Sequence, residues 1–252
     1  TGNMWKKESH KGKTLTKELC LDIIAEFRVP RTPKPEFENF SKCLYDLMDN
    51  AVVNFDDGIK TYKELLLRIA TAKEDKWIYK DSGVKNFNPR DYQLWGVLSP
   101  LTIFYTVNID ELNYTEEENI IIQQYLKKKA MIERFDRDGD GRIKCDITNP
   151  MNLWRNKHSS NNCGSVRLRT APAELALAII MQDKELWAKG LWDLDYTLSM
   201  IQEEGFFVPL SGRGCAALGY SWDTSKLFSL NLEILKLAGF NLLDYKTRHG
   251  KT

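Results

Sequence analysis

The chain has 252 residues, 42% of them apolar, enough for one large domain or two small ones with a proper core. Thirty-six basic residues against thirty-five acidic leave a formal charge of +1, which excludes a global positive field for wrapping nucleic acid, so a charged ligand has to be met by a local cluster. No apolar run reaches the length of a membrane span, and the five cysteines show no CxxC pair, which argues against structural zinc.

Helical periodicity dominates from the start. Residues 15 to 27, LTKELCLDIIAEF, place Leu15, Leu19, Ile23 and Phe27 on one stripe, and TYKELLLRIATA from Thr61 opens with a T-x-x-E capping box that uses Glu64. Between them VPRTPKPEF, residues 29 to 37, reads as a rigid connector, and KDSGVKNFNPRD, residues 80 to 91, reads as a polar loop. DYQLWGVLSPLTIFYTV, residues 91 to 107, is apolar nearly all round, which predicts a buried helix kinked or started near Pro100.

Thr115 and Glu118 make a second capping box, opening TEEENIIIQQYLKKKAMIERF with acids in its first turn and lysines further along, as the helix dipole favours. DRDGDGRI follows, where Asp136, Asp138 and Asp140 with Gly141 match the first half of an EF-hand loop. Position twelve is Ile147, which has no carboxylate, so the pattern suits either a structural calcium or an acidic turn. No cofactor is required by it.

APAELALAIIMQDKELWA, residues 171 to 188, predicts one more helix, and DTSKLFSLNLEILKLAGF predicts a last one that ends with Gly239 at C′. Strand alternation is scarce. The expectation is an all-α protein of successive helices packed in layers, forming one domain over residues 1–252.

Chemistry concentrates in two segments. WRNKHSSNNCGSVRLR, residues 154 to 169, gathers His158 with Arg155, Lys157, Arg167 and Arg169 and the amides of Asn156, Asn161 and Asn162, a set able to bind a carboxylate beside an imidazole that titrates near neutral pH. GFFVPLSGRGCAALGY, residues 205 to 220, sets Arg213 and Tyr220 seven apart. On a helix that spacing puts the two on one face, offset by about 20°.

Together these segments resemble polysaccharide lyase family five, the alginate lyases. WRNKHSS is similar to the family's Asn-Asn-His-Ser signature, with Lys157 in place of the second Asn, and Glu203, Glu204, Gly205, Phe206, Pro209, Arg213 and Tyr220 keep the order and spacing of its second motif. The likeness covers roughly residues 85 to 240.

It implies an α/α toroid, an incomplete barrel of successive antiparallel helices, acting on an anionic polysaccharide. Arg213, with Asn156 or Lys157, is expected to neutralise a uronate carboxylate. Tyr220 is expected to act as acid toward the leaving oxygen and, where nearby cations lower its pKa, also as base; His158 is the other base candidate. Arg155, Arg167 and the rings of Trp154, Trp95 and Trp222 are the substrate-binding candidates.

The chain begins on Thr1 without a secretory h-region, and is expected to be the mature form of a periplasmic or secreted protein. Cys145 and Cys163 bracket the His158 segment, where a disulfide would pin it in an oxidising compartment.

Overall fold

The computed structural model describes residues 7–8, 14–25, 42–43, 46–47, 54–72, 91–131, 165–198, 201, 217–241 and 246. These are all-helical apart from a two-residue antiparallel pairing of β1 (Lys7–Glu8) with β2 (Thr14–Leu15). The helices are α1 (Lys17–Ala25), α2 (Phe55–Ala70), α3 (Asp91–Val107), α4 (Ile109–Leu112), α5 (Glu116–Ala130), α6 (Ser165–Met181), α7 (Lys184–Leu198) and α8 (Ala217–Leu237). None of the described helices is long and apolar enough to cross a membrane. The chain forms two compact units, Thr1–Val97 with Val107–Tyr125, and Leu98–Thr106 with Leu126–Thr252.

In the first unit Thr16 caps α1, its Oγ1 accepting from Leu19 N at 3.2 Å. The buried face of α1 is Cys20, Leu21, Ile24 and Ala25, one residue along from the expected stripe. Cys20 is drawn inward because it bonds to Cys43, and both are fully buried. The expected capping box at Thr61 is also corrected. Asn54 and the acids Asp56 and Asp57 begin α2, while Thr61 lies in its second turn and its hydroxyl donates back to Asp57 O at 2.7 Å.

The stripe Ile59, Tyr62, Leu65, Leu66 and Ile69 of α2 is buried, and ion pairs Lys17–Asp57 and Asp22–Arg68 flank its contact with α1. After α4, Asn113 turns the chain at φ 45°, and Tyr114 OH donates to Lys63 O at 2.9 Å. The capping box of α5 forms as expected: Thr115 N donates to Glu118 Oε2 at 2.9 Å and Glu118 N donates to Thr115 Oγ1 at 3.2 Å.

In the second unit the single helix expected over 171 to 188 is two. The chain reverses at Gln182, whose φ is 52°, with Gln182 N donating to Ile179 O and Asp183 N to Ala178 O, a Schellman ending built without glycine. Asp183 then caps α7, its Oδ1 accepting from Glu185 N at 3.1 Å and Leu186 N at 3.0 Å. The Lys127 ammonium paired with it, together with the Leu186 N–H, holds its carboxyl below the ordinary range.

Helices α6 and α7 therefore pack antiparallel, and closely. A Cβ on Gly190 would meet Leu175 Cγ at 2.8 Å. The core of this unit joins Leu168, Leu175 and Ala176 of α6 to Leu194 of α7 and Ile234 and Leu235 of α8. At the far end of α8 the expected C′ glycine appears: Gly239 has φ 84°, Gly239 N donates to Lys236 O and Phe240 N to Leu235 O.

A proline explains a buried amide. Pro172 lies inside α6 and has no N–H to give the Leu168 carbonyl one turn back. Asn231 of α8, fully buried, supplies the missing donor, its Nδ2 reaching Leu168 O at 3.4 Å and Leu227 O of its own helix at 2.8 Å. The next carbonyl, Arg169 O, accepts from Ser99 Oγ of α3. The first two turns of α6 are thus fastened from two neighbouring helices.

Candidate functional site

Two contacts set the direction of α8 against α6. Asn231 of α8 meets Leu168 near the start of α6, and Phe240, beyond the end of α8, packs its ring at a tilt of 43° and a centroid distance of 5.3 Å against Trp187, which follows the end of α6 across the turn. Both chains advance the same way, so α8 runs parallel to α6. Their N-terminal ends consequently lie toward one end of the second unit.

Those are the ends that the two motif segments enter. Arg167 is the third residue of α6, and His158 precedes Ser165 by seven residues in the chain. Tyr220 is in the first turn of α8 and Trp222 in its second, while Arg213 precedes Ala217 by four residues. Tyr220 stands eleven residues before Asn231, about 16 Å along the helix axis at 1.5 Å per residue. Helix dipoles place partial positive charge at both N-termini, the sign that favours an anionic ligand.

Trp95 lies in the first half of α3. Trp154, Arg155, Asn156, Lys157, His158 and Arg213 lie outside the described residues, as do Asp136, Asp138 and Asp140 and the Cys145–Cys163 pair. Among the described residues no group of three His, Cys, Asp or Glu side chains is placed to hold a metal ion.

The described side chains also contain a buried charged cluster that sequence reading passed over. Glu174 of α6 is fully buried, and Lys189 Nζ of α7 donates to its Oε1 at 2.6 Å and to Asp193 Oδ2 at 3.0 Å. Asp193 is 2% exposed, and Thr170 Oγ1 of α6 approaches its Oδ2 at 3.5 Å. Glu174 Oε2 is buried and accepts from no described residue. Burial first, then the Asp193 carboxylate, push the Glu174 carboxyl up to about 8, against the pull of Lys189. The signal was present as a lone acid inside the apolar run APAELALAII, with Lys189 and Asp193 at i, i+4 on the next helix.

A comparison of the chain with protein-family models, with curated proteins and with solved structures finds no match.

Proposed function

We propose that this chain is a polysaccharide lyase with an α/α-toroid fold that cleaves a uronic-acid polymer, poly-mannuronate (alginate) first among them, by β-elimination. The observation that carries the reading is the order and spacing of Glu203, Glu204, Gly205, Phe206, Pro209, Arg213 and Tyr220, set beside the His158 segment. Two features support it. The described residues are all-helical, and both motif segments lead into helices whose N-termini lie toward one end of the same unit.

The reaction removes the C5 hydrogen, forms a C4–C5 double bond and breaks the bond from C4 to the glycosidic oxygen. That hydrogen is a very weak acid until the adjacent carboxylate loses its negative charge. Arg213, with Asn156 or Lys157, neutralises the carboxylate and stabilises the enolate-like intermediate, about 3 kcal/mol for each well-placed donor. These donors replace a metal, so turnover requires none.

Tyr220 delivers a proton to the leaving oxygen. The C5 hydrogen passes to Tyr220 itself or to His158, and proton transfer of this kind contributes roughly 10² to 10⁴ in rate. Trp154, Trp222, Arg155 and Arg167 of the second unit hold the polymer. Lys157, a flexible point charge where the family motif has an amide, favours a second reading in which the substrate is another uronan such as polyglucuronate.

The Cys20–Cys43 bridge supports a periplasmic or secreted setting, since such bonds persist in oxidising compartments. The test is incubation with poly-mannuronate and polyglucuronate while following the ultraviolet absorbance of unsaturated ends. Tyr220→Phe is expected to abolish product while keeping helicity and polymer binding. Polymer binding without product in the unaltered chain would make it a carbohydrate-binding protein, and full turnover in Tyr220→Phe would remove Tyr220 from the mechanism.

A further inference from the structure

We propose that Glu174, Lys189 and Asp193 form a buried proton-binding site between α6 and α7, in which two carboxyl groups and one ammonium hold a single exchangeable proton and tie the folding stability of this helical pair to the pH of its surroundings. The site stands whether or not the chain is a lyase.

With every group ionised the cluster carries two negative charges against one positive. Glu174 is fully buried and Asp193 2% exposed, so the surplus charge sits where water does not reach it. Lys189 already donates to both acids, at 2.6 and 3.0 Å. Glu174 Oε2 accepts from no described residue, and as a carboxylate oxygen it would be charged, buried and without a donor. A proton on Glu174 removes both costs and leaves the Lys189–Asp193 pair intact.

The direction in which each group is pushed agrees with that distribution. Glu174 is raised by burial and by Asp193 to about 8. Burial lowers Lys189, but Glu174 and Asp193 outweigh it and raise the ammonium overall, so the shared proton leaves from Glu174.

Among the described residues, Asp193 and Lys189 are the charged groups that act on the Glu174 carboxyl. On α7, Asp195 is turned about 200° from Asp193 and faces away, and Lys184 and Glu185 are exposed. Lys226, Glu233 and Lys236 of α8 are exposed. Over 98–106, α3 brings Tyr105 and no charged residue. On α5, Lys127 pairs with Asp183 and Glu185 at the start of α7, Lys128 is exposed, and Lys129 is buried in an interaction of its own.

The direction of the pH effect follows. An unfolded Glu ionises near 4.5, below which both states hold the proton. Between there and about 8 only the folded state holds it, so each unit of rising pH lowers the folding equilibrium constant by up to about tenfold, and the advantage is gone above the folded value.

The experiment compares urea unfolding of the full chain with that of Glu174→Gln from about pH 6 to about pH 9. Glutamine keeps the acceptor for Lys189 and mimics the protonated acid. The unaltered chain is expected to lose close to a tenfold factor per unit up to about pH 8 relative to the variant; parallel profiles would overturn the proposal. Should Glu174→Gln not fold, infrared spectra of the unaltered chain decide. A carbonyl band from a protonated, buried carboxyl near neutral pH that vanishes at alkaline pH supports the site, and its absence overturns it.

Discussion

The role of Pro172 gives a sharp test of how the second unit is held. Replacing Asn231 by leucine removes the donor to Leu168 O, and Leu168 is fully buried. An unpaired buried carbonyl costs about 1–3 kcal/mol. The same change also removes Asn231 Oδ1, which accepts from no described residue, and adds apolar surface, so the single variant mixes opposing effects. Pro172→Ala separates them. It restores an N–H one turn beyond Leu168, making the Asn231 amide redundant.

The lost ring packing and the freer unfolded chain of Pro172→Ala enter both arms of a double-mutant cycle and cancel. The coupling should therefore report the shared carbonyl alone, about 1–2 kcal/mol, with Asn231→Leu less costly in the Pro172→Ala background. Equilibrium urea unfolding followed by circular dichroism and tryptophan fluorescence measures it. A coupling under about 0.5 kcal/mol would mean that Asn231 does not substitute for the proline's missing donor.

Two further outcomes are expected. Gln182→Gly should stabilise the α6–α7 turn by about 0.5–1 kcal/mol, the left-handed cost of a side chain less the added freedom of glycine in the unfolded chain, and an unchanged or lower urea midpoint would contradict that strain. Cys20→Ala with Cys43→Ala opens a bridge across 23 residues, for which loop closure gives roughly 3 kcal/mol; the unaltered chain should soften to a similar degree under reductant, and indifference to reductant would count against the bond.

What the sequence made legible is what is decided locally. The Thr115–Glu118 box and the Gly239 ending each involve side chains or backbone within a turn or so, and both appear as expected. Thr61 misled because the same T-x-x-E pattern occurs mid-helix, where a threonine hydroxyl bonds back to the preceding turn. The break at Gln182 was hidden because a residue with a side chain takes the conformation that glycine usually marks. The partners Pro172 and Asn231 lie on different helices, as do Glu174 and Lys189, and only packing joins them. Glu174 escaped notice for a further reason: an acid in a helix normally reads as part of a solvated face.

The parallel course of α6 and α8 also divides the labour among the candidate residues of the proposed lyase. Asn231 touches Leu168, the residue after Arg167, while Tyr220 stands eleven residues earlier on α8. That offset of about 16 Å along a rigid helix exceeds what one arginine side chain spans. In the proposed lyase, Arg167 would on that offset meet a sugar other than the one whose proton Tyr220 handles, leaving the reacting carboxylate to Arg213. The Leu168 and Arg169 carbonyls beside it are tied down by Asn231 and Ser99, so the turn that carries Arg167 is fixed by neighbouring helices.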